Sequence, residues 1–195
     1  MEDIQIQKKA IRRQALERRK KLSEKEWAKK SATILERLFT FANFLEAKVV
    51  LFYVATNKEV ATEQMIRKSL AYEKIVAVPW TDTENRQIVP FRITDFDQDL
   101  LPGYKGIREP DRSKTKQLSV EQIDLAIIPG TAFDTRGGRI GQGTGYYDRF
   151  IPTLNITTRK VALAFECQMV SQVPMEPSDK YVDIIITEDR IIYKI

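Results

Sequence analysis

The 195-residue sequence contains no histidine and only one cysteine, Cys167. Without histidine, the commonest general base, the Ser-His triad and every imidazole-based metal site are excluded. One cysteine can neither close an internal disulfide nor build a structural zinc site. Cys167 lies in an apolar, strand-like run and reads as a buried core thiol. No apolar run approaches the roughly 20 residues of a membrane span, and the first residues carry no apolar signal region. The expectation is a cytoplasmic protein with no membrane partner. Any metal it uses must be held by oxygen, which makes Mg2+ the natural candidate.

Net charge is also missing from most of the chain. The net charge is +5, yet residues 1 to 30 hold 11 Lys/Arg against 5 Asp/Glu, and the remaining 165 residues hold 21 against 22. A nucleic-acid binder would spread its basic residues over a folded face and interleave aromatics. The expectation is therefore no nucleic-acid partner, with an RNA-binding protein that uses the basic N-terminal helix as the rival from a different class.

Glycine is scarce too, with eight in all, and five of them (Gly137, Gly138, Gly141, Gly143 and Gly145) fall within nine residues. They follow a short apolar run, Leu125 to Ile128, that reads as a buried strand. They precede Tyr146, Tyr147, Phe150 and Leu154 at helical spacing. Strand, glycine-rich loop and helix start together build anion sites, because backbone N–H groups can approach a phosphate closely. Arg136 and Arg139 add charge, and Asp148 on the first helical turn could hold a metal beside the phosphates. The spacing is neither Walker A nor the Rossmann fingerprint. Taken alone, the glycines fit equally well a tight hairpin that needs positive φ.

Elsewhere, residues 4 to 21 read as a helix with Lys8, Ile11, Arg12, Ala15 and Arg19 on one side. Lys8 and Arg12 are either a solvated basic face or a pair aimed at phosphates. Ser23 and Glu26 form a capping box that opens a second helix to about residue 41. Strands are expected at 48–54, 75–78, 87–93, 160–165, 182–187 and 190–195, and a helix at 62–72. Residues 111–119 read as a polar, mobile stretch. Asn57-Lys58-Glu59 follows the first strand, at the end where open α/β sheets bind ligands. Glu59 is either a ligand contact or a cap for the next helix. Trp80 either covers the core or stacks on a planar ligand. The alternation predicts a single α/β domain over 1–195: a three-layer sandwich with a mainly parallel central sheet and helices on both faces.

Several motifs, taken in order, resemble the 5-formyltetrahydrofolate cyclo-ligase (5,10-methenyltetrahydrofolate synthetase) family over nearly the whole chain. They are Lys8-x-x-x-Arg12, Glu59-x-x-Thr62-Glu63 and Gly106-Ile107-Arg108-Glu109-Pro110. Then come Pro129-Gly130-x-Ala132-Phe133-Asp134 and the specific block Arg139-x-Gly141-x-Gly143-x-Gly145-Tyr146-Tyr147-Asp148-Arg149. Ala164-Phe165-x-x-Gln168, Val173-Pro174, Asp179 and Ile186-Thr187-Glu188 complete the set. The resemblance implies an enzyme that uses ATP and Mg2+ to close 5-formyltetrahydrofolate, with or without further glutamates, to 5,10-methenyltetrahydrofolate, acting as a monomer. It implies ATP contacts from Lys8, Arg12 and the loop Arg139, Ile140, Gly141, Gln142, Gly143, Thr144, Gly145, Tyr146 and Tyr147. It implies Mg2+ on Asp148 and Asp179, and folate on Val54, Glu59 and Tyr147; Trp80 is added as a stacking candidate. Arg139, Tyr147 and Asp148 are the expected catalytic groups. Thr144 stands where members often have Lys or Gly, and Gln142 where many have an aromatic or basic residue, which leaves the loop one cation short. Another ATP-dependent enzyme on the same scaffold is the second rival.

Overall fold

The structure is a computed structural model that describes residues 2–56 and 58–194. The chain opens with three helices, α1 (Glu2–Lys20), α2 (Glu24–Thr40) and α3 (Ala42–Glu46). Next come β1 (Val49–Leu51), α4 (Glu63–Ala71), β2 (Ile75–Asp82) and β3 (Gln87–Ile93). The middle of the chain holds β4 (Leu100–Pro102), β5 (Arg108–Pro110), β6 (Lys116–Gln117), β7 (Leu125–Ile127), β8 (Ala132–Phe133) and β9 (Arg139–Ile140). The last part holds α5 (Tyr146–Phe150), β10 (Arg159–Leu163), β11 (Ile184–Ile186) and β12 (Ile191–Tyr193).

One eight-stranded sheet runs β12-β11-β10-β7-β1-β2-β3-β6. The five central strands, β11 to β2, are parallel. Antiparallel β12 closes one edge, and β3 with β6 the other. Side chains alternate as a pleat requires. Val50, Val76, Leu125, Val161 and Ile184 face α2, α3 and α4 through Ile34, Leu38, Phe44, Met65 and Ile66. Leu51, Ala77, Ala126, Ala162 and Ile185 face the other way, onto Phe150, Ile151 and Leu154 around α5. Alanines at the centre of this second face leave room for the bulky residues there. The result is an α/β sandwich with helices on both faces of a mainly parallel sheet.

The strand order places a possible ligand crevice. From β1 the chain goes to β2 on one side, while β7, on the other side of β1, leads away to β10 and β11. The order reverses between β1 and β7, and in open α/β sheets ligands bind beyond the carboxyl ends of such strands.

Several boundaries differ from the sequence reading. The strand expected at 75–78 continues to Asp82, because residues 76–82 pair with all of β3 in a hairpin. Pro79 lies opposite Pro90 in that ladder, so the two residues without an N–H share one pair. Residues 111–119 are not a free stretch: Lys116 and Gln117 pair with Arg92 and Phe91. Cys167 is half-buried in a 3-10 turn at 166–168, where it packs against the helical core from outside the strand. Asn57 and Ile195, both within expected features, lie outside the described residues. No helix among the described residues is long and apolar enough to cross a membrane.

Candidate active site

The glycine-rich segment folds as two unlike halves. In the first, β8 and β9 form a hairpin whose turn is held by Asp134. This buried carboxylate accepts from the backbone N–H groups of Arg136 (2.9 Å), Gly138 (2.9 Å) and, across the fold, Val173 (2.7 Å). Gly137 has φ +80°, and a Cβ there would lie against the Val182 carbonyl oxygen. That half is the hairpin alternative. The second half, residues 141–145, is a loop on the surface of a cleft, with Gly143 at φ +98° and Gly145 at φ +68° as the residue before α5.

Two clefts meet at this loop. The first lies over the carboxyl ends of β1 and β7. Its walls include Tyr53, Val54, Pro79, Ile88, Pro129, Tyr146 and Tyr147, with Glu59, Gln142, Thr144 and Lys105 among its polar groups. The second lies between α1 and the loop, with Lys8, Arg12, Ile140, Gly143, Arg149, Glu176 and Asp179 around it. Arg139, Gly141, Gly145 and Asp148 belong to both.

The charged groups where the clefts join, and those on α1, are fixed by specific partners. The buried Arg139 guanidinium donates to Asp148 Oδ1 (2.6 Å) and to the Pro129 carbonyl (3.2 Å). Its Nε is buried with no partner among the described residues. Asp148 Oδ1 also accepts the N–H of Lys180 (3.1 Å). Lys8, buried on α1, donates to Glu176 (2.6 Å) and to Asp179. Burial lowers the Lys8 pKa, but its bonds to Asp179 and Glu176 outweigh that and raise it above the ordinary lysine value. Arg12 Nε donates to the Gly141 carbonyl (2.8 Å), tying α1 to the loop. Lys8, Arg12, Ala15 and Arg19 are buried or half-buried, so this side of α1 faces the protein and is not a solvated stripe.

Glu59 is also buried. Its Oε2 accepts from the Thr56 N–H (2.9 Å) and hydroxyl (3.2 Å), and its Oε1 lies 3.4 Å from the Gln142 amide nitrogen. It does not cap α4, whose first-turn flank is Thr62. Burial, and then the negative charge of Glu59, push the phenols of Tyr53 and Tyr147 above their ordinary pKa. Both phenols therefore stay protonated at neutral pH.

The sequence profile of the 5-formyltetrahydrofolate cyclo-ligase family matches residues 4–188. The chain belongs to this family. A Caenorhabditis elegans protein named as a probable 5-formyltetrahydrofolate cyclo-ligase is 31% identical over 182 residues, covering 88% of each chain. The Mus musculus 5-formyltetrahydrofolate cyclo-ligase is 27% identical over 190 residues, covering 93% of this chain and 94% of its own. Among solved structures, the NMR structure of the Aquifex aeolicus 5,10-methenyltetrahydrofolate synthetase superposes with a TM-score of 0.84 at 30% identity, covering 95% of this chain and 92% of that one.

In this cyclo-ligase family member, the residues singled out from the sequence converge on the two clefts, with two exceptions, Arg136 and Trp80. Arg136 is exposed on the hairpin turn beside Asp134 and lines neither cleft. Trp80 is a correction. Pro79 and Thr81 face the first cleft, and the alternation of β2 turns Trp80 to the opposite face of the sheet. There its ring meets Phe91 edge-on at 6.4 Å and carries the Arg112 guanidinium 4.1 Å from its centroid. Trp80 covers the core and does not stack in the cleft. The sequence reading gave no site role to Tyr53, Glu109, Glu176 or Arg149, although Glu109 and Arg149 stand in its motifs. Tyr53 and Glu109 were reachable through the pleat and the Gly106–Pro110 motif. Glu176 becomes visible only when Lys8 is seen to bind it together with Asp179.

Proposed function

We propose that this chain converts 5-formyltetrahydrofolate to 5,10-methenyltetrahydrofolate while ATP becomes ADP and phosphate. The observation that carries this reading is the junction of the two clefts. An apolar cleft with a buried carboxylate and a cleft lined by basic residues share Arg139, Gly141, Gly145 and Asp148. Phosphoryl transfer from a nucleotide to a formyl oxygen carried on a pterin ring nitrogen needs its donor and acceptor to meet in this way.

In this reading the pterin lies over β1 and β7. The Glu59 carboxylate accepts its ring N–H and amino group in two parallel bonds, and Val54 and Tyr147 pack against the ring. The nucleotide lies along 139–147, with backbone N–H groups of the loop, Lys8 and Arg12 toward its phosphates. The formyl oxygen attacks the γ-phosphorus and ADP leaves. N10 then attacks the formyl carbon, the carbon–oxygen bond to phosphate breaks, and the N10 proton goes to solvent. No step needs a histidine, because the substrate supplies both nucleophiles. The protein contributes positioning and fixed charge. Arg139 suits the junction because its guanidinium, fixed by Asp148 and the Pro129 carbonyl, lines both clefts.

The oxygen donors fit Mg2+. The contacts of Asp148 fall on Oδ1 and those of Asp179 on Oδ2, which leaves one oxygen of each without a protein partner among the described residues. No group of three or more metal-ligating side chains occurs among the described residues, as expected where phosphates and water complete a Mg2+ shell. When bound there, the ion would neutralise charge on the transferring phosphoryl group. A single-domain monomer in the cytoplasm belongs to the same reading.

The test is the absorbance of the methenyl product with purified protein, 5-formyltetrahydrofolate and Mg2+, with and without ATP. An ATP-dependent rise is expected. No rise from folded protein that binds ATP would overturn the folate reading and favour another ATP-dependent reaction on this scaffold.

A further inference from the structure

The rim of the first cleft carries a cation that the proposed chemistry does not use. Lys105 lines this cleft beside Tyr104. It has no carboxylate within ion-pair distance among the described residues; its ammonium lies 5.2 Å from the centroid of the Tyr104 ring. Arg139, the other cation of the cleft, is paired with Asp148. Lys105 is also held in an unfavourable backbone conformation, φ +56°, where a side chain other than that of glycine is strained.

The turn around it is firmly anchored. Gly103 N–H donates to the Ile107 carbonyl (2.7 Å), Gly106 N–H to Gly103 (3.0 Å) and Ile107 N–H to Tyr104 (3.1 Å). The buried Glu109 carboxylate accepts the Tyr104 N–H (3.3 Å) and the Thr81 N–H (3.1 Å). Across the mouth, the Tyr104 ring meets Tyr146 at 6.5 Å. The protein therefore holds a strained, exposed ammonium at the outer end of an aromatic-lined mouth, with Glu59 at the inner end.

From this arrangement, and resting on the folate reading, we propose that Lys105 is a specificity residue that binds the carboxylates of the substrate's glutamate tail. With the pterin donors on Glu59, the aminobenzoyl ring lies against the Tyr104–Tyr146 pair. The glutamyl carboxylates then emerge where Lys105 is the unpaired positive charge. Nucleotide phosphates are the other anions nearby, and the test separates the two.

The experiment compares 5-formyltetrahydrofolate with 5-formyltetrahydropteroyl ethylamide, which carries no carboxylate, in the parent enzyme and in Lys105→Ala, Lys105→Arg and Lys105→Gly. The glycine variant relieves the strained φ, so loss of fold cannot account for its effect. Removing the ammonium should raise KM for the glutamate substrate roughly 5-fold, with KM for the ethylamide and for ATP unchanged. Lys105→Arg should restore most of the loss. Equal losses on both substrates, or a change confined to ATP, would overturn the inference while leaving the proposed function intact. No turnover by the parent enzyme would overturn both.

Discussion

The two halves of the glycine-rich segment use the same residue type for opposite purposes. Between 132 and 140 the chain is turned inward. Asp134 spends its carboxylate on three backbone N–H groups, and a side chain at Gly137 or Gly138 would collide with a carbonyl or with Asp134 itself. Between 141 and 145 the chain is turned outward. A Cβ at Gly143 would meet only the Arg12 guanidinium, at 3.7 Å. In the first half glycine is required by neighbouring protein atoms; in the second, Gly143 leaves the backbone bare toward a cleft, while Gly141 and Gly145 make room for the guanidinium groups of Arg139 and Arg149. A cluster of glycines is therefore not one signal, and which half binds depends on what surrounds each glycine.

The largest expected effect breaks the first half. Gly137→Ala combines a left-handed conformation, costing about 1–2 kcal/mol, with a clash against the Val182 carbonyl that relaxes only at the expense of the Val182 N–H···Gly137 bond. Urea unfolding should show a loss of roughly 3 kcal/mol. The fraction still folded should keep the parent's KM for ATP. A variant of parental stability would mean that the hairpin is not the rigid half.

Next comes the floor of the first cleft. Glu59→Gln keeps the bonds from Thr56 but replaces a charged acceptor with an amide. The loss of charge-assisted bonding, about 1.5–3 kcal/mol, should raise KM for the folate by roughly 10-fold or more, with the melting temperature nearly unchanged. A fall in stability without a KM effect would make Glu59 a structural residue of the turn at 56–59.

Much of this was legible in the sequence, for identifiable reasons. Short apolar runs bounded by turn residues marked the parallel strands, since their central residues, such as 49–51, 125–127 and 184–186, are buried on both faces. The Ser23–Glu26 box forms as read, with the Ser23 hydroxyl accepting from the Glu26 N–H at 3.2 Å and Glu26 reaching back to Ser23 N–H at 2.9 Å. What escaped depended on long-range partners. The far half of β2 is strand only because β3 folds back on it, and β6 exists only as an addition to β3. Trp80 was read without its strand register, and one residue of register moves a side chain to the other face. Lys8 and Asp179 were both singled out, but nothing local joins residues 171 positions apart in a buried ion pair.

A smaller effect sharpens the outward half. Gly143→Ala introduces left-handed strain of about 1 kcal/mol and has space for its methyl group beside Arg12. Stability should fall by about that amount, while KM for ATP rises several-fold because the methyl covers backbone that the nucleotide approaches. If KM for the folate rose and that for ATP did not, the loop would serve the first cleft and not the second.

The smallest expected effect is a pH dependence at Tyr147, where the loop enters α5. Burial first, and then Glu59, raise its folded pKa above 10.0, the ordinary value for a phenol. A raised phenol pKa favours the protonated form in the folded state. The resulting stability is fully present below about pH 10 and is lost as pH rises from there toward the folded pKa. Lys8, raised from 10.5, acts with the same sign in the same window. Unfolding midpoints measured from pH 8 to 11 should be flat and then fall. Tyr147→Phe should remove up to one proton from the alkaline slope, at most about 1.4 kcal/mol per pH unit, and leave the neutral-pH value close to the parent's. An unchanged alkaline slope would mean that the Tyr147 phenol, which lines the first cleft, keeps its contact with water.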